Sequence, residues 1–214
     1  MFLNLGDVWI PNSPTMSVYQ ERLILELIDK LGYNLIQRLT WESPSKMPAP
    51  AEWVTVRRIR VNPSTENFWW LSPSRNPKAD NRNVLVPYSD HMKKTLEKGT
   101  NAGLRPSGHF VSEHAFAQDN GGAIPHALIT ASNTASNTRY LEACRKAGIK
   151  PHPARFPPAL PEFAIKLTTE RDDVILDPFG GSLETAETAM RLGRKFITCD
   201  RSRHYLDGGL LRFA

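Results

Sequence analysis

Cysteine is scarce in this chain: two residues, Cys144 and Cys199, among 214. Without C-x-x-C spacing they offer neither a disulfide framework nor a thiolate metal site. The six histidines are scattered and form no H-E-x-x-H pattern, so no metal is expected. No apolar run approaches the roughly 20 residues of a membrane span, and no charged lead before an apolar stretch opens the chain. The expectation is a cytoplasmic protein that does not enter a membrane. Also missing is the dinucleotide fingerprint G-x-G-x-x-G: Gly180-Gly181-Ser182-Leu183-Glu184 has no further glycine to complete it, and no base in the turn to hold a pyrophosphate.

What is present is most informative in the same place. Val174-Ile175-Leu176 reads as a buried strand, Asp177-Pro178-Phe179-Gly180-Gly181-Ser182 as a turn, and Leu183 to Leu192 as a helix closed by Gly193. A second strand, Lys195 to Cys199, ends at Asp200. Two glycines let a ligand approach the backbone, the helix start offers unpaired N–H groups, and an acid at the second strand's tip suits a ribose diol. Asp177 repels phosphate and favours a cationic or amino-bearing ligand. S-adenosylmethionine, with a sulfonium, an ammonium and no phosphate, is the expected cofactor. A nucleotide cofactor and a purely structural turn are the alternatives. The expected cofactor residues are Asp177, Phe179, Gly180, Gly181, Ser182 and Asp200.

A net charge of +5 is unevenly spread. Between Arg57 and Arg105 ten bases face four acids, which exceeds the surplus of the whole chain. The arginines lie among Trp53, Phe68, Trp69, Trp70 and Tyr88, the composition of a nucleic-acid surface. Arg57, Arg58, Arg60, Arg75, Lys78, Arg105 and His109 are the expected contacts to double-stranded DNA. Elsewhere the pattern predicts a strand at Phe2 to Leu5, a helix from Thr15 to Leu31, strands at 35–41, 54–61 and 67–71, and helices at 139–147 and 161–169. From 72 onward periodicity is lost and Pro, Gly, Asn and Ser accumulate. The expected division is 1–71, an irregular target-recognition insert at 72–138, and a cofactor-binding part at 139–214.

The turn at 177–182, the acid at 200 and Tyr205 resemble the cofactor motif of the amino-methylating DNA methyltransferases. The resemblance is strongest to the cytosine-N4 enzymes of bacterial type II restriction–modification systems whose catalytic motif precedes the cofactor motif. It extends through Pro44-Ser45-Lys46 to Glu52-Trp53-Val54, Arg57 to Arg60, Trp69-Trp70, Pro87 to Asp90, Arg105 to His109, Asp119 to Gly122, His152 to Pro157 and Leu160 to Phe163. It implies an α/β, Rossmann-like methyltransferase fold and methyl transfer from S-adenosylmethionine to an exocyclic amine of a flipped base. Adenine-N6 is the alternative target. His152 and Arg155 would approach the methionine carboxylate or a phosphate, and Gly6-Asp7 would border the pocket.

One element of that family is missing. Its Ser- or Asp-Pro-Pro-aromatic loop accepts the amine hydrogens and stacks on the flipped base. The chain's Pro-Pro pair, Pro157-Pro158, lies between Phe156 and Ala159 and fits neither flank. The resemblance places this loop upstream of the strand at Phe2. It therefore implies a sheet short of a central strand, from a truncated frame, a missed earlier start or a split enzyme with a separate N-terminal fragment. A non-catalytic DNA-binding or cofactor-binding remnant is the reading of a different class, and no catalytic residue is assigned within the chain.

Overall fold

The structure, a computed structural model, describes residues 1–99, 101–112, 114–115, 118–134 and 137–214. The elements in chain order are β1 (Phe2–Leu5), α1 (Tyr19–Asp29), β2 (Asn34–Glu42), β3 (Thr65–Ser72), α2 (Asp90–Lys98), β4 (Gly103–Leu104), β5 (Phe110–Val111), β6 (Leu128–Thr130), α3 (Asn137–Lys146), α4 (Ala159–Thr168), β7 (Val174–Asp177), α5 (Glu184–Arg191), β8 (Lys195–Thr198) and α6 (Arg203–Leu210). They form two compact units, Met1–Ala79 with Ala127–Ala214, and Asp80–His126.

The larger unit is an α/β assembly. Its four-stranded sheet has the order β1-β3-β2-β6, antiparallel except for the parallel β2–β6 pair. Strand β3 is apolar on both faces because both are covered. On one face Phe68, Leu39 and Trp41 pack with Leu160 and Ala164 of α4. Phe2 stacks there on Phe68 and Trp70 at 5.2 and 5.6 Å. On the other face Trp69 and Leu71 pack with Ile24 of α1.

Strands β7 and β8 form a separate parallel pair, with α5 against it. Among the described residues no ladder joins this pair to the four-stranded sheet. Each sheet therefore has open edges, and Val174, Leu176 and Ile197 on one face of the pair are exposed. Helix α4 links the two parts. Its apolar side enters the four-stranded core, and Glu162 receives Arg191 of α5 at 2.8 Å.

Several boundaries differ from the sequence reading. The stretch 54–61 is not a strand but a π-turn, Glu52–Val56, with the Ile59 and Arg60 N–H groups folding back onto the Trp53 carbonyl. Its β-branched residues have no surface to pack on, since Val56, Ile59 and Val61 are exposed, and β propensity acts through packing. Helix α1 begins at Tyr19, not Thr15, because Met16 is bridged to Trp9. Helix α4 begins at Ala159, and Pro161 fits its first turn, where no N–H partner is needed. The second unit, Asp80–His126, is narrower than 72–138, because β6 belongs with β2. It holds α2, the short β4–β5 ladder and a 3-10 turn at Asn81–Val84. Of its described residues only Gly122 is buried.

Candidate cofactor site

The parallel register sets Asp177 opposite Thr198, so Asp177 and Asp200 stand at the same, carboxyl end of the β7–β8 pair. That end is where ligands bind in open α/β sheets. Between them the turn is tightly wired. The Gly180 N–H donates to the Cys199 carbonyl at 2.8 Å, and Leu183 N–H returns to the Gly180 carbonyl at 2.7 Å. Phe179 N–H donates to Asp177 Oδ1 at 3.0 Å, and Gly181 N–H to Asp200 Oδ2 at 3.0 Å. A side chain at Gly180 is impossible without rearrangement, because a Cβ would lie 2.2 Å from Thr198 Oγ1. Gly181 sits at φ 49°, a conformation glycine adopts freely.

Asp200 is the electrostatic centre. Its Oδ1 accepts the Ser202 N–H at 2.8 Å, and its Oδ2 accepts Gly181. The Ser202 hydrogen bond first, opposed by burial and aided by the Gly181 bond, holds this carboxyl below the usual range, so it is ionised at neutral pH. Each oxygen keeps a lone pair for another donor such as a ribose hydroxyl. Asp177 is half-buried with one oxygen used by its own turn, and the Phe179 ring is 83% exposed. Two carboxylates, a bare aromatic ring and no base in the turn fit a cationic, diol-bearing ligand.

His152 lies against this turn. Its ring atoms would be 3.4 Å from a Cβ on Gly181, and its ring meets Tyr205 edge-on at 4.4 Å. Nδ1 faces the Ala154 carbonyl, which only accepts, so Nδ1 carries the proton. Arg155 turns inward to the His152 carbonyl, and its Nε is buried without a hydrogen-bond partner among the described residues. At the other sheet, Gly6-Asp7 follows β1. The Tyr19 hydroxyl donates to the Gly6 carbonyl at 2.6 Å, and Gln20 Nε2 to Asp7 Oδ1 at 3.2 Å. Gln20 cannot flip, since its Oε1 already accepts Asn67 and the donor-only indole of Trp69.

The expected DNA-contacting residues divide by what they touch. Arg57 pairs with Glu52 at 2.7 Å and lies over Trp53, while Arg60 lies 3.4 Å from the Trp9 centroid and donates to the Pro14 carbonyl. Lys78 pairs with Glu170 and Asp173 at 3.3 and 3.1 Å. Arg58, at φ 55°, and Arg75 are exposed and carry no ion pair among the described residues. In the second unit, Arg105 donates to the Asn101 carbonyl and His109 faces Ser107, both exposed.

Sequence reasoning missed Tyr140, Glu184, Glu187, Gly209 and Arg212, which surround the back of the turn. The signals were there: an i, i+3 pair of glutamates at a helix start, and a glycine doublet inside a helix. A cavity of about 390 Å³ adjoins them, lined by Arg139, Tyr140, Glu162, Glu187, Thr188 and Arg191 among others. None of the expected cofactor residues lines it. Among the described residues, no cluster of His, Cys, Asp and Glu is suited to a metal, and no helix is long and apolar enough to cross a membrane.

Comparison with known proteins agrees with this architecture. Residues 1–210 match the DNA methylase family that unites N6- and N4-methylating enzymes, and the chain belongs to that family. It is 42% identical over 214 residues to the type II methyltransferase M.PvuII of Proteus hauseri, covering 99% of this chain and 63% of that one. It is 25% identical over 201 residues to M2.LlaDCHI of Lactococcus lactis subsp. cremoris, covering 94% of this chain and 57% of the relative. Among solved structures it superposes on the cytosine-N4-specific PvuII DNA methyltransferase with a TM-score of 0.79 and 34% identity, over 100% of this chain and 63% of that one. The M1.HpyAVI–SAM complex shares the fold at a TM-score of 0.55 and 19% identity, over 92% of this chain and 71% of that one. The chain thus spans less than two thirds of the length of the curated relatives it matches.

Proposed function

We propose that this chain is the cofactor-binding and target-recognising part of a site-specific, cytosine-N4 DNA methyltransferase that uses S-adenosylmethionine in the cytoplasm. The observation that carries the reading is the Gly181–Asp200 hydrogen bond, which joins a phosphate-averse glycine turn to an ionised acid at the next strand tip. The likeness to the cytosine-N4-specific PvuII DNA methyltransferase supports the cytosine-N4 target. When bound, S-adenosylmethionine supplies a methyl group activated by its sulfonium charge.

The chain's own residues bind and orient. Asp200 accepts the ribose hydroxyls, Asp177 offers its free oxygen to a cationic group, and Phe179 presents a ring to the adenine. Gly180 and Gly181 let the ligand lie against the backbone, and Ser182 leads into the α5 N-terminus. On DNA, the exposed Arg58 and Arg75, and Arg105 and His109 of the second unit, meet phosphates. Arg57, Arg60 and Lys78 serve mainly to brace their own surroundings, because each is already paired or stacked.

The target amine needs a Ser- or Asp-Pro-Pro-aromatic loop, and we assign it to a segment outside these 214 residues, seated through the open sheet edges and the exposed Val174, Leu176 and Ile197. A non-catalytic, DNA-binding remnant is the second reading, favoured by the absence of that tetrapeptide. The test is methyl incorporation from labelled S-adenosylmethionine into duplex DNA, with and without a protein carrying the loop and its strand. Losing the positioning of two reactants forfeits about 7–11 kcal/mol of barrier reduction, so the chain alone should be silent. Incorporation on mixing supports the enzyme. Silence in both arms, with DNA still bound, supports the remnant, and incorporation by the chain alone refutes the need for the loop.

A further inference from the structure

The back of the cofactor turn is held by α6 and the 3-10 turn Leu211–Phe213 that follows it. We propose that Gly209 and Arg212 are positioning residues that set the shape of the turn Gly180–Glu184. Gly209 does so by admitting the Leu183 side chain, and Arg212 by fixing the Ser182 carbonyl and the two glutamates of α5. The proposal rests on the reading of this turn as the cofactor site.

Leu183 carries the first part of the argument. It is 2% exposed and sits at φ 59°, a left-handed conformation that a leucine adopts only when its surroundings impose it. Its side chain lies in a slot between two glycines. A Cβ on Gly180 would come within 3.0 Å of Leu183 Cδ2, and one on Gly209 within 2.4 Å of Leu183 Cγ and 2.9 Å of Cδ1. Both walls must therefore lack a side chain. The neighbouring Gly208 is less confined: a Cβ there would be tight against the Ile149 side chain at 3.3 Å but in ordinary contact with Tyr140 and Cys144 at 3.5 and 3.7 Å. Glycine is a poor helix former, so its presence at 209 answers to this contact and not to the helix.

Arg212 carries the second part. Its side chain is 4% exposed, and its Nε donates to the Ser182 carbonyl at 2.6 Å. Nη1 donates to Glu187 Oε2 at 2.6 Å, Nη2 lies 2.8 Å from Glu184 Oε2, and the guanidinium covers Tyr140 at 4.5 Å. The Glu184 contact is one of charge, since its geometry falls outside a hydrogen bond and both atoms are otherwise unpartnered among the described residues. Burial pushes the Glu184 carboxyl up and Arg212 opposes it, so the two groups depend on each other. A planar fork reaches one carbonyl and two carboxylates at once, which a lysine ammonium cannot do.

The test compares G209A, R212M, R212K and G208A in the full chain. S-adenosylmethionine affinity is measured by calorimetry, and amide exchange is followed at residues 179–184 and, as a reference for the overall fold, at 65–72. G209A and R212M should each weaken binding about 10- to 100-fold and speed exchange in the turn, with R212K intermediate. G208A should leave both unchanged, and exchange in β3 should stay slow in all four. Unaltered affinity and turn exchange in G209A and R212M overturn the proposal. Equal loss of protection in the turn and β3 also overturns it, by making both residues general stabilisers. If the unsubstituted chain binds no S-adenosylmethionine, the cofactor reading fails, and turn exchange alone then decides whether the clasp exists.

Discussion

The turn Gly180–Glu184 and the unit Asp80–His126 are both rich in glycine and polar residues, and they are built in opposite ways. The turn is buried throughout, and its contacts come from segments far along the chain: His152, Asp200, Gly209 and Arg212. In the second unit many contacts are local, such as Arg82 with Asp80, Met92 N–H with Ser89 and Gly121 N–H with Asp119. The longer ones, Asn120 N–H to the Tyr88 hydroxyl and the Val86–Ala123 bridge, do not bury a core. Glycine content therefore says little about rigidity. In the turn, glycine makes room for close packing; in the second unit most glycines stand in open space at positive φ. The proposed cofactor site has the first construction, and the unit proposed to face DNA has the second.

The largest effect should come from closing the space at Gly180. Gly180→Ala drives a methyl into Thr198 and Leu183. Overpacking of this kind costs about 1–3 kcal/mol, and for a chain of this size each kcal/mol lowers Tm by about 2–4 °C. Thermal melting would show the fall, and calorimetry should show cofactor binding lost with it. A loss confined to binding is expected from Asp200→Ala, which should weaken S-adenosylmethionine by about 1–3 kcal/mol without a comparable fall in Tm. Unchanged affinity would remove Asp200 from the site.

On the DNA side the comparison sharpens between exposed and stacked arginines. Arg58→Ala and Arg75→Ala should each reduce the salt slope of DNA binding by about one. Arg60→Ala should leave the slope alone and instead cost about 0.5–1 kcal/mol of stability through its lost Trp9 contact. A slope change in Arg60→Ala equal to that in Arg58→Ala would reverse the division made here.

The finest contrast is between two acids. Asp200 is held low by backbone N–H groups, first Ser202, and Asp80 is held down at about 2, first by the Arg82 side chain. Both pKa values are depressed on folding. The stability each contributes is therefore present above the ordinary carboxylate range near pH 3.9 and is lost as pH falls through its folded value. Added salt should raise the Asp80 value, since Arg82 is exposed and screened, and should leave Asp200 nearly fixed. Carboxyl NMR titrations at low and high ionic strength would check this, and equal salt responses would show that the two sites share one mechanism.

The strand–turn–helix–strand frame that we propose as the cofactor site was legible because its signals are local. A strand, two glycines and an acid at the next strand tip fall within one short stretch, and the parallel β7–β8 register follows from it. The apolar run Phe68 to Leu71 was equally plain. Arg212 and Tyr140 were not, and the glycine doublet at 208–209 signalled only a close approach, because their roles depend on tertiary contact with residues as distant as Ser182 and Leu183. The stretch 54–61 misled for the complementary reason: β-branched residues signal a strand only where a sheet surface receives them, and here Val56, Ile59 and Val61 meet solvent. The charge cluster is visible in the composition alone. Which arginines were already engaged by Trp9, Trp53 or Glu52 could be known only from the packing.

The double-sided burial of β3 bears on how this chain reaches its fold. Phe68 serves the α4 core and Trp69 the α1 core, and the two are neighbours in sequence. A slip of one residue in pairing with β2 would turn Phe68 toward α1 and Trp69 toward α4, spoiling both cores at once. Misaligned intermediates then gain little from either side, so the correct alignment should form in a single cooperative step. The two buried faces of the strand should thereby select one alignment over its neighbours.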